Sequence, residues 1–574
     1  MGNYAAGIIA VAIVVLATVA IGGYGLRMSR TTSDFFVASR SVSPWLNASA
    51  IGGEYLSAAS FLGVAGLIFA FGADMLWFAV GYTVGYLVLL TLVAAPLRRS
   101  GAYTVPDFAE ARLGSPPVRR IASILTVAIG WLYLLPQLQG AGLTLYTVTG
   151  APPWAGAALV AVVVVVNVMA GGMRSVTMVQ AFQFWLKLAA IAIPAVFLVL
   201  AWRSAGAPVP PSATPPVFAD RTTVEIKTGV EIDAVETRVI VADGVVDGRR
   251  FAGSLVLQGG RHRVDAGTRL TFPRGAIVPQ VTSLPAETGA QWYLPVAGGM
   301  GTHSLYVVYS LIVATFLGVM GLPHVIVRFY TNPNGRAARR TTVAVLGLLG
   351  TFYLLPPVYG ALGRVYTPEL LLTGRTDALV LLLPGRLIGG VAGSLLSALI
   401  TGGAFAAFLS TSTGLTMSVA GVISRNILRH RGKGTFRAAT VIAAAVPFGM
   451  TLLAMRLSVA DVVGLAFAVA ASSLCPMIVL GIWWRRLTSA GAAAGMAVGG
   501  SLAFAAGMLS LLGAAPTGWW RDLLNWPAAW TVPAGFLVMI GVSLATPGRV
   551  TPDLRRIMTR LHAPESLAES GDAA

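Results

Sequence analysis

Inside an apolar run near residues 45–70, the chain reads Asn47-Ala-Ser-Ala-Ile-Gly52-Gly53-Glu54-Tyr55-Leu56-Ser57-Ala-Ala-Ser60. A run of this length is long enough to cross a lipid bilayer as a helix. Its paired glycines weaken the helix about one third of the way in, and Glu54 puts an ionisable group at membrane depth. Irregular backbone at that depth survives only where it lines a cavity or is buried in protein. We therefore predict an interrupted helix, with Glu54 as a candidate functional residue.

The composition indicates the same environment. The chain has 574 residues, of which 56% are hydrophobic and only 11% are charged, and its mean hydropathy is +0.76. Soluble domains carry about a quarter charged residues, so this composition excludes a soluble enzyme, a disordered scaffold and a secreted disulfide module. The single cysteine, Cys475, excludes an intrachain disulfide and a cysteine-based metal site. We predict an all-α polytopic membrane protein.

The basic residues give the orientation. The net charge of +18 comes from Lys and Arg between the apolar runs, so we assign it to cytoplasmic loops and not to nucleic-acid binding. Arg27 and Arg30 follow the first span, and Arg328 is counted in the loop after the seventh. This bias places the N-terminus outside and the C-terminus in the cytoplasm. We predict thirteen spans, near residues 5–26, 45–70, 75–97, 119–148, 153–170, 176–201, 304–326, 341–363, 386–421, 438–456, 459–484, 489–513 and 526–546.

Residues 203–302 break the apolar pattern between the sixth and seventh spans. Segments such as 223–226, 237–241 and 254–257 mix β-branched or other apolar residues with polar ones, as short strands do. We predict a small β-rich outer domain of about 100 residues here, and a poorly ordered loop is the alternative.

The seventh span is also predicted to be interrupted. Gly321 and Pro323 weaken its cytoplasmic side, and it lies five spans after the second. That offset is the one expected of an inverted five-plus-five repeat with substrate held at the broken pair. The alternative is that these glycines only allow close helix packing.

The ninth span carries a pattern of oxygen atoms. Ser410 and Thr411 follow Ala407 by three and four residues, so both hydroxyls reach the neighbourhood of the Ala407 carbonyl. Carbonyls freed at Gly53 and Leu56 would complete five neutral oxygen ligands, which suit a hard monovalent cation. The alternative is that these hydroxyls only bond back to a helix or across to a neighbour.

At these residues the chain resembles the sodium:solute symporter family, and within it the bacterial cation/acetate and monocarboxylate permeases. The resemblance spans most of residues 30–430. The stretches that carry it are Ser33-Asp34-Phe35-Phe36-Val37-Ala38 with Ser41-Val-Ser-Pro44-Trp45, Gly53 to Gly63, Tyr103-Thr104-Val-Pro-Asp107, Gly171-Gly172-Met173 with Gln180, Gly321 to Phe329, and Gly414-Leu-Thr-Met417.

The resemblance implies the LeuT-type fold and alternating access. It also implies that the five oxygen-bearing residues Gly53, Leu56, Ala407, Ser410 and Thr411 bind Na+. The division it implies is 1–44 for the first span and loop, 45–202 for the first repeat, 203–302 for an extracytoplasmic insertion, 303–485 for the second repeat, 486–546 for two peripheral spans and 547–574 for a cytoplasmic tail.

The resemblance also suggests a compact substrate. Sugar and proline carriers of the family place large aromatic or amide side chains where this chain has Thr315, Val319 and Ser60. These small side chains suit acetate, propionate or pyruvate, with Tyr55 and Ser57 as further donors to a carboxylate. Glu54 has three interpretations: a coupling acid that carries a proton, a salt-bridged structural acid, or a neighbour of the sodium.

We therefore predict a Na+-coupled symporter that takes up a short-chain monocarboxylate across a bacterial inner membrane. The alternative is a proton-coupled carrier, or a carrier of another small solute such as an amino acid. No enzymatic activity is expected, since the spans hold no paired carboxylates, histidine clusters or nucleophile elbow, and the tail after about Thr546 is too short for a signalling kinase. Expected partners are the monocarboxylate and membrane lipid, and expected ions are Na+ or H+, with no cofactor. The sequence does not determine the oligomeric state.

Overall fold

The structure is a computed structural model of the chain. It describes residues 2–26, 42–208, 217–218, 220–226, 229–281, 292–294, 303–373, 376–428, 433–453, 459–512 and 518–563. The motif at 33–38, Ser41 and the loop arginines Arg27 and Arg30 lie outside these residues. Within them the protein is mostly helical, with one small β-sheet, as the sequence predicts.

Twelve helical runs in the described residues are long and apolar enough to cross a membrane. One of them, Ala59–Arg99, has 41 residues, which at about 1.5 Å per residue is twice the roughly 30 Å of a bilayer core. It bends at Gly72, whose φ of 80° and ψ of −147° are not helical. This run therefore holds the end of the second span and the whole third span, which agrees with thirteen passes.

The passes run in chain order and several are composed of two helices. Shorter helices lie between them at Val105–Leu113, Leu370–Thr373, Leu379–Leu387 and Trp519–Asn525, and after them at Leu554–His562. The first to sixth passes are Gly2–Leu26, Pro44–Tyr55 with Val64–Phe71, Leu76–Val88 with Ala94–Arg99, Pro116–Thr149, and the two halves of Pro153–Ser204 on either side of Gly172. The seventh to thirteenth are Ser304–Gly321 with Pro323–Val327, Gly335–Tyr353 with Pro356–Tyr366, Gly390–Val422, Lys433–Leu453, Val459–Ser472 with Leu474–Trp483, Ser489–Leu511, and Ala528–Ala545.

Both predicted interruptions are present, each displaced slightly from its glycine. The second span leaves helical geometry at Leu56 (φ −71°, ψ 87°), three residues after Gly53, and resumes through a π-helical turn at Ala59–Gly63. The seventh span breaks at Leu322 (φ −77°, ψ 114°), directly before Pro323. The proline explains that position, because the residue before a proline is disfavoured in helical conformation.

The insertion between the sixth and seventh spans folds as a seven-stranded antiparallel sheet. Its strands are β1 (Thr222–Glu225), β2 (Val230–Ala234), β3 (Arg238–Val246), β4 (Arg249–Leu257), β5 (Gly260–Val264), β6 (Arg269–Phe272) and β7 (Gln280–Val281), in the order β1-β6-β3-β5-β2-β7 with β4 on β3. Asp247 and Gly248 both have positive φ (52° and 75°) and close the β3–β4 hairpin, as a two-residue type I′ turn requires. The predicted β-rich domain is therefore present.

Packing brings the broken second span into the centre of the membrane domain. Its first helix, Pro44–Tyr55, packs on Pro153–Ser204, which in turn packs along the ninth pass, Gly390–Val422. Every residue from Asn47 to Gly66 is buried, including Glu54 at 1% exposure. The break is thus enclosed by protein, as irregular backbone in a bilayer must be.

The turn at Gly72 yields a stability prediction. A β-carbon there would overlap the Trp292 carbonyl, and the backbone conformation is one that essentially only glycine adopts. We expect Gly72→Ala to lower stability by about 1–3 kcal/mol or more, measured as the thermal midpoint in detergent. The control is Gly347→Ala in the eighth span, where nothing lies within 4 Å of an added Cβ. Equal midpoints for both variants would contradict this account of the turn.

Candidate ion and substrate site

The break in the second span is filled by a lysine. Lys187, near the middle of the sixth span, is fully buried, and its Nζ donates hydrogen bonds to the carbonyl oxygens of Gly53 and Leu56. A third bond runs to the Ser410 hydroxyl of the ninth span. The distances to Leu56 and Ser410 are both 2.8 Å, which is the usual length for an ammonium donor. The ammonium therefore lies among three of the five oxygens that the sequence assigns to Na+.

The other two predicted ion ligands lie beside this group with partners of their own. The Ala407 carbonyl accepts from the Ser410 hydroxyl at 3.0 Å, as the spacing predicts. The Thr411 hydroxyl donates to the main-chain oxygen of Glu54 at 2.6 Å. The structure thus brings all five residues together, but it adds Lys187 to their centre.

Glu54 forms an ion pair instead of standing free in the site. Its Oε2 accepts from Arg328 Nε at 2.6 Å, and both side chains are about 1% exposed. Arg328 also donates to the Thr177 hydroxyl at 2.9 Å and to the Gln180 amide oxygen. Gln180 in turn donates to the Ser410 carbonyl at 2.8 Å. The assignment of Arg328 to a cytoplasmic loop is wrong, because this network draws it into the protein interior.

The predicted substrate residues of the second span lie next to tyrosines. The Ser57 hydroxyl accepts from Tyr133 at 3.3 Å, and the Ser60 hydroxyl is 2.8 Å from that of Tyr353. Tyr55 lies on the other side of the break, where its hydroxyl donates to the Tyr82 carbonyl at 3.2 Å. Ser57, Ser60, Tyr133 and Tyr353 therefore form a cluster of four hydroxyls, called here the hydroxyl cluster. The Tyr55 hydroxyl is outside it and is bonded to a main-chain carbonyl.

The two predicted residues of the seventh span face glycines of the third. The Thr315 hydroxyl bonds back to the Leu311 carbonyl at 2.8 Å, and a β-carbon on Gly81 would overlap it. Val319 packs in the same way against Gly85. Both residues are buried in this helix contact, in which the glycines of the third span allow close approach.

Aromatic rings of four other spans lie near the break. Tyr82 of the third span lies 5.0 Å from Phe467 of the eleventh and 5.9 Å from Tyr353 of the eighth, measured between ring centroids. Tyr133 of the fourth span stacks on His324 at 5.2 Å. Tyr133 and Tyr353 also bond to Ser57 and Ser60, so these rings lie beside the break in the second span.

Lys187 and Arg328 are the residues that sequence reasoning missed, and a signal for each was available. Lys187 is the one charged residue between Val176 and Ala201, the predicted bounds of the sixth span, and such a charge is functional by default. The rule that marks Glu54 as a candidate functional residue therefore marks Lys187 as well. Arg328 follows a predicted break by only a few residues, which is too close for a loop position to be assumed.

The chain matches a family of known transporters. The family model of the sodium:solute symporter family matches residues 35–207 and 286–499, more than half of the chain. The chain belongs to the sodium:solute symporter family. The gap between the two matched stretches contains the whole described β-sheet, so the sheet is an addition to the family's helical domain.

Relatives of this symporter are found in bacteria. It is 31% identical over 497 residues to a protein of Corynebacterium glutamicum named monocarboxylic acid transporter, covering 83% of this chain and 78% of that one. It is 28% identical over 547 residues to symporter YwcA of Bacillus subtilis, covering 93% and 89% of the two chains.

Two solved structures share the fold at 13% identity. One is a Na+-coupled sialic acid symporter in a substrate-bound outward-open state, with a TM-score of 0.61 over 93% of this chain and 98% of that one. The other is MhsT in complex with L-phenylalanine, with a TM-score of 0.51 over 86% and 97%. The protein is therefore a multi-pass symporter with the predicted fold.

Gly414 tests the packing around Glu54. A β-carbon at this position would fall on the Glu54 carboxylate, so we expect Gly414→Ala to displace the ion pair and reduce transport at least tenfold. Gly421→Ala, two turns further along the same buried helix, meets nothing within 4 Å and is the matched control. Transport by purified protein in liposomes measures the difference, and an active Gly414→Ala protein would rule out this packing.

The Glu54–Arg328 pair yields a third prediction. Removing one partner of a buried ion pair leaves an uncompensated charge and costs about 3–5 kcal/mol. We expect Glu54→Gln to lower the thermal midpoint strongly, and Glu54→Gln with Arg328→Gln to recover part of the loss. If the double variant loses as much as the sum of the two single variants, Glu54 and Arg328 do not act as a pair.

Proposed function

We propose that the protein is a secondary active symporter that takes up a short-chain monocarboxylate, such as acetate, propionate or pyruvate, across the bacterial cell membrane. The observation that carries the proposal is the buried hydroxyl cluster at the break, formed by Ser57 with Tyr133 and Ser60 with Tyr353. The relative named monocarboxylic acid transporter supports the substrate class.

Hydroxyl donors suit a carboxylate. Each of the four hydroxyls has one hydrogen and can turn it toward an anion. His324 stacks on Tyr133 and is fully buried, and neither of its ring nitrogens has a hydrogen-bond partner in the described part of the chain. A buried imidazole of this kind normally has a partner, and a bound carboxylate oxygen would supply one.

The charge balance also favours an anion. Among the described residues that bond at the break, two side chains are cationic, Lys187 and Arg328, and one is a carboxylate, Glu54. Lys187 bonds to the carbonyl of Leu56, the residue directly before Ser57. The excess positive charge therefore lies beside the hydroxyl cluster. In an interior of low dielectric this excess attracts a monoanion more strongly than it would in water.

The surrounding surface limits the rest of the substrate. Four rings form a chain beside the hydroxyl cluster, in the order Tyr353, Tyr82, Phe467 and Tyr133, with successive ring centroids 5.0–5.9 Å apart. These rings offer apolar contact for one or two carbon atoms next to the carboxylate. A short alkyl or keto acid matches this combination better than a sugar, which needs many hydrogen bonds.

The broken spans support alternating access. The second and seventh spans, five apart, are each interrupted, which is the arrangement of inverted-repeat carriers. The N-terminus outside, the C-terminus in the cytoplasm and an outer position for the sheet remain part of the proposal. The coupling ion is either Na+ or the proton. Na+ is the ion after which the family is named, and the proton is favoured because the Lys187 ammonium lies where the sequence predicts sodium.

The proposal is tested with purified protein in liposomes. We expect labelled acetate to be taken up when an inward H+ or Na+ gradient is imposed, and unlabelled propionate or pyruvate to compete. Alanine and proline serve as amino-acid competitors. Uptake of an amino acid in place of the monocarboxylates would contradict the substrate class.

A substitution at Tyr133 tests whether its hydroxyl binds the substrate. We expect Tyr133→Phe to raise the KM for acetate about tenfold, because a hydrogen bond to a charged group is worth about 1.5 kcal/mol or more. Tyr330→Phe is the control, since Tyr330 is equally buried and lies on the segment after the break of the seventh span. Equal KM values for the two variants would remove Tyr133 from the substrate site.

A further inference from the structure

We infer that the Lys187 ammonium is the resident cation of the oxygen site at the break, and that this site does not bind free Na+. The family resemblance implies Na+ among these same oxygens. The inference departs from that expectation for this chain, and it deepens the proposed function, on which its transport consequence rests.

Counting donors and acceptors shows that the group is complete without a metal ion. An ammonium has three N–H donors and no acceptor, and Lys187 has three acceptors: the carbonyls of Gly53 and Leu56 and the Ser410 hydroxyl. Ser410 can accept because its own hydrogen goes to the Ala407 carbonyl. The hydrogen bonds of the lysine and the hydroxyl are therefore mutually consistent.

The remaining predicted ligand is also engaged. The Thr411 hydroxyl donates to the main-chain carbonyl of Glu54 at 2.6 Å, so each of the five oxygens already has a hydrogen-bond partner. A sodium ion at this position would have to displace the ammonium or lie within a few ångströms of it. Two like charges at that distance repel strongly in a protein interior, and the residues present do not fit a free Na+.

In the described parts of the ninth, second and eighth spans, the Glu54 carboxylate is the one anion, so a second cation would have no anion of its own. The ninth span, which packs along the sixth, contains no ionisable residue between Gly390 and Val422. The first helix of the second span contributes Glu54, whose carboxylate is paired with Arg328. The eighth span contributes Tyr359, whose hydroxyl donates to the Ile191 carbonyl of the sixth span, one turn beyond Lys187.

A tethered cation differs from Na+ in one functional respect. Sodium enters and leaves an ion site with every transport cycle, whereas the Lys187 ammonium is attached to the sixth span. The break is therefore held together without an exchangeable metal ion. The consequence is that uptake of the substrate does not require Na+.

Binding is measured first, without substrate. Purified wild-type protein in detergent is heated in choline chloride and in NaCl of equal ionic strength, and ²²Na+ binding is measured by scintillation proximity. We expect no Na+-dependent rise in the thermal midpoint and no saturable ²²Na+ binding. A Na+-specific rise, together with saturable binding that Ser410→Ala abolishes, would overturn the inference.

Two substitutions at position 187 sharpen this test. Lys187→Ala removes the ammonium and opens space beside the five oxygens, so we expect this variant to gain a Na+-dependent rise in its thermal midpoint. Lys187→Met removes the charge but fills most of the volume, so it should gain none. A wild-type protein that responds to Na+ as Lys187→Ala does would refute the assignment, and this comparison holds even where Lys187→Met fails to fold.

Transport is measured separately. We expect the initial rate of acetate uptake into liposomes to change less than twofold when choline replaces Na+ on both sides, with the pH gradient held constant. A loss of tenfold or more on removing Na+ would overturn the inference. Failure to transport any monocarboxylate would refute the proposed substrate while leaving the Na+ binding result to decide the identity of the resident cation.

Discussion

The hydrogen bonds from Lys187 to the carbonyls of Gly53 and Leu56 are the interaction on which the membrane domain depends. Breaking a helix inside a bilayer frees backbone groups that water cannot reach, and each unsatisfied group costs several kcal/mol. The second span is nevertheless broken at Leu56. A single ammonium satisfies two freed carbonyls and, through Ser410, ties them to the ninth span.

A second network surrounds this bond and fixes the position of the break. Arg328, just after the interruption of the seventh span, reaches Glu54 of the second span and both Thr177 and Gln180 of the sixth. Gln180 also donates to the Ser410 carbonyl of the ninth span, so charged and amide groups join four spans. The network also needs space, because a β-carbon at Gly414 would overlap the Glu54 carboxylate.

The β-sheet between the sixth and seventh spans is a separate case. Its hydrophobic core, with Phe218 stacked on Phe272 at 4.7 Å, is distinct from that of the membrane domain. The family model does not extend over it. Its strands follow local alternation of apolar and polar residues and a two-residue turn, and for this reason the sequence indicates it without any resemblance.

Much of the site was also predictable, but its centre was not. Periodicity places Ser410 and Thr411 near the Ala407 carbonyl, and glycine and proline mark both broken spans within a few residues. The exact position of the break at Leu56, three residues beyond the glycines, depends on what satisfies its carbonyls. That partner is 131 residues further along the chain, and no local pattern connects the two.

The sequence alone determined the membrane environment, the number of passes, the β-rich insertion and the family, because these follow from composition, local periodicity and short motifs. Only the tertiary structure decided that Arg328 pairs with Glu54, that tyrosines of the fourth and eighth spans reach Ser57 and Ser60, and that Lys187 lies among the predicted ion ligands. The physical reason is that a long side chain extends several ångströms from its helix. Which neighbouring helix it reaches is therefore set by how the spans pack and not by its place in the sequence.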